Sequence, residues 1–199
     1  MVISHVVGLL AHPKQEWESI RDSHESVGKV FATVLILAAI PVICGFIGTT
    51  QYGWQIGTSA TVRLTAGSAA VMAVLYYLVI LLAIFSVGWM IYWMGETYGT
   101  HRPLSQCVVL AAYIPTPLFL AGVMQIFPVL WLNLLVGLPC AAYTVFLLYT
   151  GIPVMMGISE ERGFLFASAV LAVGLIGLVG MLAATVILWS QGLGPVFAT

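Results

Sequence analysis

Charged residues are scarce in this chain: 6 Lys and Arg and 7 Asp and Glu make up only 7% of its 199 residues. Soluble domains carry roughly 25% charged residues, so the composition falls outside the soluble class. Six basic residues and a formal net charge of −1 also exclude a protein that follows nucleic-acid phosphates. Hydrophobic residues make up 61% of the chain, which is typical of a polytopic membrane protein.

Cysteine is also rare, and the usual motifs of catalysis are missing. Cys44, Cys107 and Cys140 show neither a paired disulfide framework nor zinc-binding spacing. The chain has no glycine-rich phosphate loop, no serine elbow and no compact His-Glu motif for a metal. We therefore expect no enzymatic activity, no cofactor and no metal site.

Long apolar runs are what the chain has instead. A helix needs about 20 apolar residues to cross a hydrocarbon core of roughly 30 Å. Five stretches qualify, and none carries Asp, Glu, Lys or Arg in its interior. They predict an all-α membrane protein, one domain over residues 1–199 with five transmembrane helices at about 29–50, 66–94, 105–126, 129–150 and 164–190.

The basic residues predict the orientation, because Lys and Arg concentrate in cytoplasmic loops. Five of the six fall on one side of the predicted bundle, and only Arg63 falls on the other. We therefore expect a cytoplasmic N-terminus and, after five crossings, a C-terminus on the outer side of the membrane. The five residues are Lys14, Arg21, Lys29, Arg102 and Arg162.

The segment 1–28 is predicted to contain a short amphipathic helix. Pro13 suits the first position of a helix, and Glu16 would lie in its opening turn. Trp17 and Ile20 then share one face because they are three residues apart. This face has two interpretations: it lies on the inner leaflet of the membrane, or it packs against the bundle as a cytoplasmic cap.

Prolines fall near the middle of three predicted helices. Proline lacks the N–H that would bond to the carbonyl four residues earlier, so these helices expose carbonyl groups within the membrane. Broken helices of this kind also form substrate sites in transporters. The prolines are Pro41 in the first helix, Pro115 and Pro117 in the third and Pro139 in the fourth.

Polar residues accompany these prolines. Tyr113 and Thr116 flank the double break, Tyr143 lies one turn beyond Pro139, and Asn133 lies near the outer interface. One interpretation is that the kinks only shape the packing and that nearby hydroxyl groups bond to the free carbonyls. The other is that the same residues line a path for a solute or an ion.

The fifth predicted helix carries small residues at intervals that let two helices approach closely. This candidate packing seam faces either helix 1 or 2 of the same chain, or a second copy of the protein. Its members are Ser168, Ala172, Gly177, Gly180 and Ala184.

Several short stretches of the sequence are distinctive. They are His-Pro at 12–13, Ala-Ile-Pro-Val-Ile-Cys at 39–44, Gly-Thr-Thr-Gln at 48–51, Thr-Pro-Leu-Phe-Leu at 116–120 and Tyr-Thr-Gly-Ile-Pro at 149–153. With these stretches the chain resembles, over nearly its whole length, the bacterial YohC-type inner-membrane proteins of the Yip (Ypt-interacting protein) superfamily.

The resemblance implies a membrane domain of five helices in a bacterial inner membrane, with a cytoplasmic N-terminus and therefore a periplasmic C-terminus. Eukaryotic relatives engage Rab-type GTPases through a longer cytosolic N-terminal region. Here that region has about 28 residues and no matching acidic-aromatic motif, which argues against a GTPase partner. The resemblance transfers no catalytic or binding residue to this chain.

Two functions follow from these patterns. The first is a non-enzymatic membrane scaffold or organiser that binds lipids, other membrane proteins or a second copy of itself. The alternative is a passive channel or small-solute transporter whose path runs along helices 1, 3 and 4. No buried acidic, lysine or histidine side chain is expected within the crossings, which favours a passive path over an ion-coupled pump.

Overall fold

A computed structural model describes residues 2–23, 27–54 and 61–198 of the chain. These residues include five helical stretches long and apolar enough to cross a membrane. They are Gly28–Tyr52, Ala66–Tyr98, Leu104–Ile126, Leu130–Met156 and Glu160–Gly192. The expected all-α, polytopic membrane fold is therefore confirmed.

The helices are numbered in chain order. Two short helices, α1 (Val2–Ala11) and α2 (Pro13–Asp22), precede the first crossing. The first two crossings are formed by α3 (Val27–Ile47) and α4 (Ala66–Gly95). The last three are formed by α5 (Leu104–Tyr113) with α6 (Thr116–Ala121), by α7 (Leu130–Met156) and by α8 (Glu160–Leu188).

The fourth crossing is longer than the sequence indicated. We expected a helix at about 129–150, but α7 continues through Pro153 to Met156. Gly157, at φ 68°, then ends the helix in the left-handed conformation that glycine adopts without strain. Pro153 lies inside α7 without ending it, although its ring removes one backbone hydrogen bond of the helix.

The third crossing lies at the centre of the bundle. In its most apolar window 61% of the residues are buried inside the protein, against 22% or less for the other four. Leu110, Ala111 and Tyr113 are all buried there. The other helices surround this crossing and present large apolar side chains outward, as expected where lipid is the solvent.

The N-terminal segment packs against the bundle. Pro13 opens α2 and Glu16 lies in its first turn, as the sequence indicated. Trp17 is 0% exposed and Ile20 is 3% exposed, and α2 packs along α7. Of the two interpretations of this face, the structure therefore places it against protein rather than on a leaflet.

The two ends of the bundle are distinguished by their loops. The N-terminal end carries α2, the α4–α5 loop and the α7–α8 loop, and Lys14 of α2 forms an ion pair with Glu160 of α8 at 3.8 Å. The opposite end carries a two-stranded antiparallel sheet of β1 (Arg63–Leu64) and β2 (Phe197–Ala198). The chain's last described residues thus lie beside the start of α4.

Candidate functional site

The third crossing is broken where the sequence indicated. α5 ends at Tyr113 and α6 begins at Thr116, with Pro115 between them and Pro117 in the first turn of α6. The hydroxyl of Thr116 donates to the carbonyl of Tyr113 at 2.6 Å, and Thr116 is 0% exposed. A local hydroxyl thus bonds to the carbonyl that Pro117 leaves free, as in the first interpretation of the prolines.

Pro41 lies at the closest contact between the first and third crossings. Gly122 follows α6, and a Cβ built on it would lie 2.5 Å from Pro41 Cβ and 2.8 Å from Pro41 Cα. Only glycine fits at this distance, because a proline ring and backbone cannot move aside. The first crossing (α3) and the third crossing (α5 with α6) are therefore in direct contact at this depth.

A cavity of about 890 Å³ opens beyond this contact at the opposite end of the bundle. Gly45, Thr49, Gln125 and Asn133 line it, together with three aromatic side chains, those of Tyr52, Trp54 and Trp131. The amide of Asn133 donates to the carbonyls of Phe127 (2.8 Å) and Val129 (3.0 Å). Its nitrogen therefore holds the loop before α7.

Tyr143 and Pro139 lie in the middle of α7, which stays helical through Pro139. The hydroxyl of Tyr143 donates to the carbonyls of Leu9 (2.9 Å) and Leu10 (3.2 Å). These carbonyls end α1, where no further helical N–H is present to bond to them. Tyr143 thus caps α1, a role that the sequence did not indicate.

This cap shows that α1 inserts between the membrane-spanning helices. Tyr143 is the midpoint of α7, so the end of α1 reaches about the middle of the fourth crossing. Leu9 is fully buried, and the His5 ring lies 6.2 Å from the Tyr113 ring, edge to face. α1 packs against α2 and α3, and it reaches α5 through His5 and α7 through its last turn.

His5 and Glu16 form an ionisable pair that sequence reasoning missed. The His5 Nδ1 atom is hydrogen-bonded to a Glu16 carboxylate oxygen, and Gly8 of α1 leaves room for that carboxylate. The two residues are eleven apart on different helices, so no spacing rule signals the pair. Only the turn at His12–Pro13 hints that α1 and α2 fold against each other.

The candidate packing seam of the fifth helix splits between two faces. The hydroxyl of Ser168 contacts that of Tyr149 on α7 at 2.9 Å. Ser168 and Gly177 are nine residues, or two and a half turns, apart, so they face opposite sides of α8. Ala172 lies near the Ser168 side, and Gly180 and Ala184 lie on the Gly177 side.

Beyond its first three turns, α8 projects away from the bundle. Phe166, Ala167 and Val170 are buried, but nearly every residue from Ala172 to Trp189 is exposed. A Cβ built on Gly177 or Gly180 would meet no atom within 4 Å in the part of the chain that the structure describes. The face of α8 that carries Gly177, Gly180 and Ala184, here called the glycine face, therefore has neither the first crossing (α3) nor the second (α4) against its glycines there.

Five long apolar helices, a central broken crossing and an inserted N-terminal helix define a polytopic α-helical membrane protein. The Yip1 domain model matches residues 7–181, and the chain belongs to this family. It is 43% identical over 191 residues to the inner membrane protein YohC of Escherichia coli K12 and to that of Escherichia coli O6:H1. The matches cover 96% of this chain and 98% of each relative. No solved structure matches it.

Proposed function

We propose that this chain is a non-enzymatic membrane scaffold whose α8 docks against a second copy of the chain. The observation that supports it is the glycine face of α8, formed by Gly177, Gly180 and Ala184. Glycine in a helix interior costs roughly 0.5–1 kcal/mol relative to alanine. No neighbour in the described chain requires a small residue at Gly177 or Gly180. Close packing against a helix of another molecule would explain why small residues are present there.

A second copy suits this face better than the chain itself does. Ser168 holds the first part of α8 against α7, so the glycine face, on the other side of the helix, points away from α7. Two such faces brought together would bury the same residues on both helices, as in a two-fold symmetric contact. Small residues in both let the helix backbones approach closely.

The transport alternative has less support. A path along the first, third and fourth crossings would run from the cavity of about 890 Å³ toward Tyr113 and Tyr143. It would have to pass the contact between Pro41 and Gly122 and then the inserted α1. A passive conduit would need both obstacles to move, whereas a scaffold needs neither to change.

We expect a cysteine at position 180 to crosslink two copies of the chain in native membranes. The variant is Gly180→Cys in a background in which the three native cysteines are replaced by alanine. Oxidation should give a disulfide-linked dimer, scored by its mass on a non-reducing gel. The matched control is Leu182→Cys, which lies at similar depth on the other side of α8 and is 59% exposed.

The scaffold proposal predicts a dimer yield several-fold higher for position 180 than for position 182. Equal yields would show random collision, and no dimer at either position would contradict self-association through α8.

A further inference from the structure

A polar cavity of about 420 Å³ lies at the N-terminal end of the bundle, between the end of α4 and the start of α5. Its volume is within the range of sites for small ligands. Glu96, His101 and Arg102 line it, together with Tyr92 and Trp93 from the last turns of α4. Every one of these side chains has a polar or aromatic group suited to the membrane interface.

Two opposite charges line this cavity without pairing. Within the described residues, Glu96 and Arg102 form no ion pair with each other or with any other side chain. Arg102 is held in place by the fold: its Nε donates to the carbonyl of Met156 at 3.2 Å, and its guanidinium packs over Gly157. Its remaining N–H groups are available to a ligand.

Thr100 supports the same arrangement. Its hydroxyl donates to the Met156 carbonyl at 2.9 Å, so two side chains from the α4–α5 loop fix the end of α7. The cavity therefore has one anchored cation and one free carboxylate. A ligand that carries an anion and a cation a few ångströms apart complements both.

The cavity also has an aromatic wall, formed by Tyr92 and Trp93. Trp93 is 68% exposed and Tyr92 is 48% exposed, as expected for rings in the membrane interface. Their faces attract an ammonium group, and this attraction adds to that of Glu96. The wall thus favours a cation on the α4 side of the cavity.

An apolar groove of about 560 Å³ lies between α3, α4 and α5. Leu81 and Phe85 line it from α4, and Leu104, the residue after Pro103 of the polar cavity, lines it from α5. Leu81 and Tyr92 are eleven residues apart, so they share a face of α4 and are separated by about 16 Å. This distance is half of a hydrocarbon core of roughly 30 Å, which is the depth of one leaflet.

We propose that the polar cavity and the apolar groove together bind one phosphatidylethanolamine molecule. Its phosphate contacts Arg102 and His101, and its ammonium contacts Glu96 and the aromatic wall. One acyl chain follows the groove between α3 and α5. The proposal shares with the proposed function only the premise that the protein acts by binding and not by catalysis, and it does not depend on self-association through α8.

The test is lipid retention by the purified full-length protein, measured by native mass spectrometry. Phosphatidylethanolamine, phosphatidylglycerol and phosphatidylcholine with the same acyl chains are added separately. Phosphatidylglycerol lacks the ammonium, and phosphatidylcholine has no N–H to donate to Glu96. We expect phosphatidylethanolamine to be retained about tenfold more than either, which is the effect of one charge-assisted hydrogen bond.

The variant Glu96→Gln should abolish this preference. The matched control is Glu161→Gln, which removes an acid at the same end of the bundle that does not line the cavity. Equal retention of the three lipids by the unmodified protein, or an unchanged preference in Glu96→Gln, would overturn the proposal. Competition by soluble glycerophosphoethanolamine at equal concentration would overturn the role of the groove.

These outcomes are separate from those of the scaffold test. Loss of the lipid preference with crosslinking at position 180 retained would remove the lipid site alone. Retention of the preference without crosslinking would leave the lipid site and contradict self-association.

Discussion

Replacing Trp17 with alanine is expected to lower the free energy of unfolding by about 3–5 kcal/mol. The indole is fully buried where α2 meets the bundle, and it lies over Gly151 of α7 and near Leu110 of α5. Its removal leaves a cavity that rigid transmembrane helices cannot close. The measurement is the midpoint of thermal unfolding in detergent, followed through the loss of helical signal.

Two controls separate burial from residue type. Trp93→Ala removes an exposed tryptophan and should shift the midpoint far less. Trp17→Phe keeps an aromatic ring at this position and removes an indole N–H that has no hydrogen-bond partner among the described residues. The loss of stability should therefore be smaller for Trp17→Phe than for Trp17→Ala. Equal midpoints for Trp17→Ala and Trp93→Ala would show that α2 lies on lipid after all.

Gly122→Ala is expected to destabilise the protein by about 1–3 kcal/mol, the usual cost of overpacking. The added methyl group would overlap Pro41, whose ring and backbone cannot give way. The helices would have to separate at the point where the first and third crossings meet. The measurement is again the thermal midpoint, with the recovery of monodisperse protein as a second readout.

The matched control is Gly137→Ala on α7. A Cβ at position 137 would meet no atom within 4 Å in the described chain, and alanine favours a helix over glycine. We therefore expect this variant to be neutral or slightly more stable. A loss at position 137 as large as that at position 122 would contradict the contact with Pro41.

Much of the fold is predictable from local pattern. The five apolar stretches indicate the crossings because a membrane requires about 20 apolar residues in each. Pro13 and the spacing of Trp17 and Ile20 indicate α2 and its buried face. Pro115 indicates the break between α5 and α6, because proline removes a backbone hydrogen bond whatever its neighbours are.

Other features depend on contacts between distant residues. The ten residues of α1 are too few to cross a membrane, so their insertion beside Tyr143 has no local signature. The extension of α7 through Pro153 runs against the local signal, because proline usually ends or kinks a helix. The projection of α8 away from the bundle likewise has no local signal, because its apolar sequence does not show which of its residues other helices cover.

The candidate site was predictable only in part. The prolines and Thr116 are where the sequence placed them, and Thr116 forms the hydrogen bond that one interpretation required. Sequence reasoning missed His5 and Glu16, since each belongs to a different short helix. It also grouped Ser168 with Gly177. The two residues are two and a half helical turns apart and therefore lie on opposite faces of α8.

We expect the chain to cross the membrane five times from a cytoplasmic N-terminus. Alkaline phosphatase fused after Thr199 tests this topology, because the enzyme is active only outside the cytoplasm. The fusion after Thr199 should be active in intact cells, and a fusion in the α4–α5 loop, after Arg102, should be inactive. An inactive phosphatase after Thr199 in a stably expressed fusion would contradict this topology.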